Sequence, residues 1–210
     1  MELLEAIQSR RSVKKFDKSH ELTDDEVRQL IRCASLAPTS FNMQNWQFVA
    51  VRDAGQKTAL CKAAWNQEQV CDAALVLVLA GDLKAHEDSS RTLRDAPDEL
   101  TEMFDGMIKQ FYGGNESLAL QEACRSVGFA GQNEMLAARD MDYDTCAMIG
   151  FDPKAVAEIL ELPEHLPPLL MITVGRAAEP ARKRWGLLDY EEVLSLDKYG
   201  ERSFTGPIQG

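Results

Sequence analysis

Long hydrophobic runs are missing from this sequence. The longest apolar stretch, Ala73 to Ala80, is far short of the roughly 20 residues a membrane helix needs. The first residues, Met1-Glu2-Leu3-Leu4-Glu5, are acidic and amphipathic, whereas a secretory signal starts basic and turns continuously apolar. A cytoplasmic protein is therefore expected. Cysteines are few and scattered: the five, Cys33, Cys61, Cys71, Cys124 and Cys146, are never closer than ten positions. That spacing excludes C-x-x-C zinc and iron–sulfur ligation. An odd count in a reducing compartment points to buried thiols. The three histidines, His20, His86 and His165, are isolated, and no H-E-x-x-H occurs. The P-loop, the G-x-G-x-x-G fingerprint and the G-x-S-x-G elbow are absent too. Positive charge is in deficit, with 23 Lys and Arg against 34 Asp and Glu and a net charge of −11. Such a balance argues against binding nucleic acid or anionic membrane.

What is present reads as one globular domain over residues 1–210. Of these, 45% are hydrophobic and 27% charged, enough for a core without disulfides. Helical spacing predicts a helix over residues 2–9 and another from the capping box Thr23-Asp24-Asp25-Glu26 to Leu36, stopped by Pro38. Trp46 to Val51 and Ala74 to Ala80 read as strands, with a helix at Gln56 to Asn66 between them. The second strand is apolar on both faces and should be central. Residues 82–116 read as a polar excursion with helical pieces around Asp98–Tyr112. A long helix from Ser117 to Arg139 is rich in small residues, which fits a helix packed closely in the core or against a second subunit. Strands at Tyr143 to Met148 and Leu169 to Val174 flank a helix started by Asp152 and Pro153. A short helix near Tyr190–Leu194 lies in an arm that begins near residue 186. The order is that of an α+β layered fold.

Local charge opposes the global balance. Arg10, Arg11, Lys14 and Lys15 lie within six positions, and Arg182, Lys183 and Arg184 are consecutive. Seven cations concentrated in two segments of an acidic chain form a candidate anion site, because arginine's planar fork matches a phosphate. Ser12 adds a hydroxyl. A second cluster, Thr39-Ser40-Phe41-Asn42-Met43-Gln44-Asn45 after Pro38, is dense in groups that donate and accept hydrogen bonds. Such groups can read a heteroaromatic edge, with Trp46 and Trp65 as flat walls. Taken singly, the first cluster is also compatible with solvated turns and the second with a capped loop.

Together these residues resemble the FMN-dependent nitroreductase family. Arg10-Arg11-Ser12-Val13-Lys14-Lys15-Phe16 is similar to the family's opening R-x-S-x-[RK]-x-[FY]. Ala37-Pro38-Thr39-Ser40-Phe41-Asn42-Met43-Gln44-Asn45-Trp46-Gln47-Phe48 is similar to A-P-[ST]-x-x-N-x-Q-P-W-x-F. Trp65-Asn66, Gln132-Asn133-Glu134-Met135-Leu136-Ala137-Ala138, Met148-Ile149-Gly150-Phe151, Val174-Gly175 and Arg182-Lys183-Arg184 follow in the family's order. The likeness spans about residues 2–194. Asn45 departs from the family's proline, and Asp140 and Asp142 stand in a turn that often holds glycine. Gln69 occupies a position that is basic in some relatives.

The resemblance implies a three-layer α/β/α sandwich with a mainly antiparallel sheet, built as a homodimer with FMN at the subunit interface. It implies that Arg10 and Ser12 hold the FMN phosphate, with Arg182 and Arg184 approaching from the C-terminal side and Arg11 among the residues that bind the cofactor. Lys14 would lie near the pyrimidine side of the ring and favour negative charge on its reduced form. Asn66 would bond the ring edge with Gln69 beside it, and Ile149 and Gly150 would present backbone N–H groups. Pro38, Thr39, Ser40, Asn42 and Gln44 would reach the cofactor from the other subunit. The implied activity moves hydride from NADH or NADPH through the flavin to an electron-poor acceptor, such as a nitroaromatic or a quinone. No side-chain nucleophile and no metal is called for. Narrower flavin chemistry on the same fold, such as dehalogenation, flavin destruction or ring dehydrogenation, is an alternative, as is a flavin-binding protein without catalysis.

Overall fold

The computed structural model describes residues 2–208. Strand β1 (Trp46–Val51), β2 (Leu75–Gly81), β3 (Asp144–Met148) and β4 (Pro168–Gly175) form one sheet of order β1-β2-β4-β3, with every pairing antiparallel. All seven residues of β2 are buried, as its unbroken apolar run requires of a strand covered on both faces. The pleat sorts them. Leu75, Leu77 and Leu79 join Leu30, Ala34, Val127, Ala130 and Ile172 in one core, while Val76 and Val78 join Leu60, Val70, Val156 and Met171 in another. Burying each such aliphatic side chain contributes roughly 1.5–3 kcal/mol.

Helices supply the outer layers, and the starts signalled by Thr23 and Asp152 were legible. Before α2 (Asp24–Ser35), the Thr23 hydroxyl accepts the Glu26 N–H at 3.3 Å and the Glu26 carboxylate accepts the Thr23 N–H at 2.7 Å. Tyr143 donates its hydroxyl to the same carboxylate at 2.6 Å. Chiefly through that bond, and through those from Thr23, the Glu26 carboxyl is lowered to about 2. Asp152 accepts the Lys154 and Ala155 N–H groups to start α7 (Pro153–Ile159). The short α1 (Leu3–Ser9) packs beside the long α6 (Glu116–Asp140). Asp142 takes φ 60° in the turn after α6, the tolerance expected of aspartate.

Small residues explain how closely α6 lies on its own sheet. A Cβ at Gly131 would stand 2.7 Å from Leu170 Cδ2, and one at Gly81 would stand 2.7 Å from Ala123 Cβ. Glu134 lies on this inner face, fully buried, and neither of its carboxylate oxygens has a hydrogen-bond partner. Burial alone pushes its carboxyl up to about 8.

Three sequence expectations change. The helix at 56–66 is α3 (Ala54–Ala63) followed by a second short helix, α4 (Glu68–Asp72). Asp53 caps α3 early by accepting the Gln56 N–H at 2.8 Å, and left-handed dihedrals at Trp65 and Asn66 end the segment. Cys124 is exposed rather than buried, because it sits one step around α6 from the inward Ala123 and Val127. The excursion is not uniformly polar. Its helix α5 (Asp98–Tyr112) buries Ile108 and Tyr112 with Met43 and Ala85, against Phe41, Leu93, Phe104 and Leu118. Among the described residues, the chain after β4 is largely exposed and holds one short helix, α8 (Tyr190–Val193). No described helix is long and apolar enough to cross a membrane.

Candidate functional site

The edge strand β3 is the spine of the site. Ser12 bridges Thr145, and the Val13 N–H donates to the Thr145 carbonyl at 3.0 Å, laying the basic N-terminal segment along β3. Lys14 then reaches back, its ammonium donating to Cys146 Sγ at 3.3 Å. The two basic clusters, distant in sequence, meet here. Arg10 is half-buried, and its pKa is lowered first by burial and then by the charges of Arg184 and Arg11. Ser9, Arg11, Arg182, Lys183, Arg184 and Gly186 line an open cleft of about 570 Å³.

Clustering without counter-charge marks the site, while several neighbouring cations are paired. Lys15 pairs with Glu68, Lys18 with Asp72, Arg52 with Asp24 and Arg139 with Asp144. Among the described residues no carboxylate pairs with Arg10, Arg11, Lys14, Arg182, Lys183 or Arg184. Cations held together against their mutual repulsion, with no counter-charge from the protein, form a site for an anion.

At the far end of β3 a ledge of amides adjoins the strand. Ile149 is 78% exposed, whereas Gly150 is packed so closely that a Cβ there would lie 3.2 Å from Gln67 Nε2 and 3.4 Å from Trp65 Cζ3. Gln67 donates to the Gly150 carbonyl at 2.7 Å. Gln69 is buried, and its amide donates to Gln67 Oε1 at 2.9 Å, so it buttresses Gln67 from within. Asn66 is exposed, in a left-handed turn fixed by its N–H to the Cys61 carbonyl at 2.8 Å. Sequence reasoning passed over Gln67. Its reach to β3 follows the left-handed turn at Trp65 and Asn66, of which the sequence offered only an asparagine, a residue tolerant of that conformation.

The third group, Pro38 to Gln44, lies elsewhere in the chain. It precedes β1, the opposite edge of the sheet from β3. Three strand spacings amount to about 14 Å. Pro38 and Asn42 are exposed, while Thr39, Ser40 and Gln44 are half-buried. Phe41, Asn42 and Gln44 all have positive φ, at 51°, 53° and 45°. The Thr39 hydroxyl accepts the Gln44 N–H at 3.0 Å, and the Asn42 amide donates to the Thr92 carbonyl at 2.9 Å.

The cationic corner and the ledge of amides thus lie along one edge strand, β3. The three-layer α+β fold around them is that of a flavin oxidoreductase class. The Nitroreductase family pattern matches residues 7–176. Protein DrgA of Synechocystis sp. is 44% identical over 204 residues, covering 94% of this chain and 97% of its own. The oxygen-insensitive NADPH nitroreductase of Helicobacter pylori is 27% identical, covering 85% of this chain and 89% of its own. A structure from Exiguobacterium sibiricum solved in complex with FMN superposes with a TM-score of 0.81 at 25% identity, covering 90% of this chain and 94% of its own. This chain belongs to the nitroreductase family.

Proposed function

We propose that the protein is a homodimeric, FMN-dependent oxidoreductase that takes hydride from NADH or NADPH and passes it to an electron-poor acceptor, a nitroaromatic or a quinone. The observation that carries this reading is the set of unpaired cations drawn from both ends of the chain to one corner. The residues fit the cofactor: cations without carboxylates suit its phosphate, and the amides of residues 66–67 and 149–150 suit a ring edge. A solved relative in complex with FMN and an NADPH-named relative support it.

Arg10, Arg182 and Arg184 would hold the phosphate with charge-assisted hydrogen bonds, joined by Ser12, with Arg11 lining the same cleft. Lys14, steadied by Cys146, would place a positive charge at the pyrimidine side of the ring. Asn66 would bond the ring edge. Gln67 would fix the Gly150 carbonyl, orienting the peptide that faces the ring, and Gln69 would hold Gln67. When bound, the flavin supplies the hydride chemistry, so the protein's work is positioning and electrostatics.

The loop at 38–44 would meet the flavin of the partner subunit. Within one chain it borders the opposite sheet edge from the cations, so a second copy is needed to bring the two halves together. Exposed apolar residues suit that partner: Leu120 and Phe129 on α6, and Trp185, Leu188 and Tyr199 beyond β4. We read the chain as one domain in which residues from about 186 form the arm that embraces the second copy.

The test is FMN affinity, read by flavin fluorescence, with the visible spectrum followed on anaerobic addition of NADH or NADPH. The wild-type protein is expected to bind FMN and bleach. Arg10→Ala and Arg182→Ala are each expected to weaken FMN by about 10- to 150-fold, each lost charge-assisted bond being worth roughly 1.5–3 kcal/mol. The double variant should lose less than the product, since both contact one phosphate. Unchanged affinity in both single variants would remove the main support for the reading.

A further inference from the structure

The loop at 39–44 is held in a shape its own residues do not favour. Positive φ is tolerated by Asn42 but is uncommon for a bulky residue such as Phe41. Within the loop, the Thr39 carbonyl accepts the Asn42 N–H at 3.2 Å and the Ser40 carbonyl accepts the Met43 N–H at 2.9 Å. Other restraints come from outside, and three of them come from the excursion. Thr92 takes the Asn42 amide, Phe104 meets Phe41 edge-on with ring centroids 6.0 Å apart, and the Tyr112 hydroxyl donates to Ser40 Oγ at 2.8 Å. Glu122 on α6 accepts the Ser40 N–H at 3.3 Å. The space behind the loop, between Met43, Asn45, Asp82 and Tyr112, is a cavity of only about 10 Å³, room for at most a single water.

Tyr112 has a further consequence for Ser40. Tyr112 is 2% exposed, and burial raises its pKa, so the phenol remains a donor across the physiological range. A serine hydroxyl has one hydrogen and two lone pairs. With one lone pair taken by Tyr112, the hydroxyl keeps its own hydrogen available to donate to another group.

We propose that Tyr112 is a positioning residue for the proposed flavin reaction. It latches the excursion onto the 39–44 loop and orients the Ser40 hydroxyl as a donor toward the cofactor held by the partner subunit. This rests on the functional reading above and deepens it, because it ties the excursion to cofactor binding through one side chain. Tyr112, 2% exposed, would act on the cofactor through Ser40.

The test uses the full chain, stripped of flavin and titrated with FMN, as wild type, Tyr112→Phe, Ser40→Ala and the double variant. Phenylalanine keeps the ring in its pocket and removes only the donor. Tyr112→Phe is expected to weaken FMN by about 5- to 10-fold, the loss of one hydrogen bond. In the Ser40→Ala background the same change is expected to have no further effect, a non-additivity that a general loosening of the fold would not produce. Wild-type FMN affinity in Tyr112→Phe would overturn the proposal, whether or not its thermal midpoint moves. An equal loss in both backgrounds would overturn the route through Ser40. A wild-type protein that binds no FMN would instead overturn the functional reading, and this inference with it.

Discussion

Glu134 is a buried carboxyl without a hydrogen-bond partner, which costs stability. Its folded carboxyl keeps a proton up to about pH 8, whereas an unfolded glutamate releases it near 4.3. Between those values the folded state binds more protons, so stability falls as pH rises, by up to about 1.4 kcal/mol per pH unit. Glu134→Gln is expected to raise the thermal midpoint at pH 7.5 and to flatten the decline between about pH 4.5 and 8. Melting curves of both proteins across that range check it, and parallel curves would refute it. Glu26 has the opposite sign. Its depressed pKa contributes stability above about pH 4.3 that is lost as pH falls toward about 2. The Thr23–Glu26 spacing made the cap legible in the sequence, but Tyr143, the largest cause of the shift, comes from a turn far along the chain. Glu134 stood in plain view within the Gln132–Ala138 motif. Its burial follows only from the tertiary choice to turn that face of α6 onto the sheet.

Elements were more legible than their neighbours. The unbroken apolar run of β2 announced a central strand, and the small residues of α6 announced close packing. The surface they pack against was left open by the sequence. It proves to be the protein's own sheet, with Ala123 against Gly81 and Gly131 against Leu170. At Gly81 that contact admits no side chain. An added Cβ would lie 2.6 Å from Leu169 Cδ1 and 2.7 Å from Ala123 Cβ, and the latter has no rotamer to escape into. Gly81→Ala is expected to destabilise the protein by about 1–3 kcal/mol through overpacking, read as a lower urea midpoint at unchanged slope. The excursion's small core was hidden because it pairs α5 with Phe41 and Met43, which precede it by more than a helix and two strands. Periodicity within α5 gives Ile108 and Tyr112 an inward face and says nothing of what they meet.

At the scale of the molecule, the sequence displayed the candidate site as two basic clusters and a polar loop, each ordinary alone. Their assembly depends on strand order. Laying residues 10–14 along β3 and returning the chain through β4 unites the clusters, while β1 carries the 38–44 loop to the other edge. No reading of local pattern yields β1-β2-β4-β3, because that order is set by which strands share the two cores.

That division between edges has a bookkeeping consequence for mixtures of chains. If each chain lends its cations to one site and its loop to the other, damage to either half spoils a different pocket. Chains carrying Arg10→Ala with Arg182→Ala, and chains carrying Ser40→Ala with Asn42→Ala, would each form pairs with two impaired pockets. Mixed after dissociation, they would yield hybrids with one pocket wholly intact and its twin doubly broken. About half of all pairs in an equal mixture would be such hybrids by random association. FMN titration of the mixture is therefore expected to reveal a tight class amounting to about a quarter of all pockets, absent from either parent. If both halves served the same pocket within one chain, mixing would restore nothing.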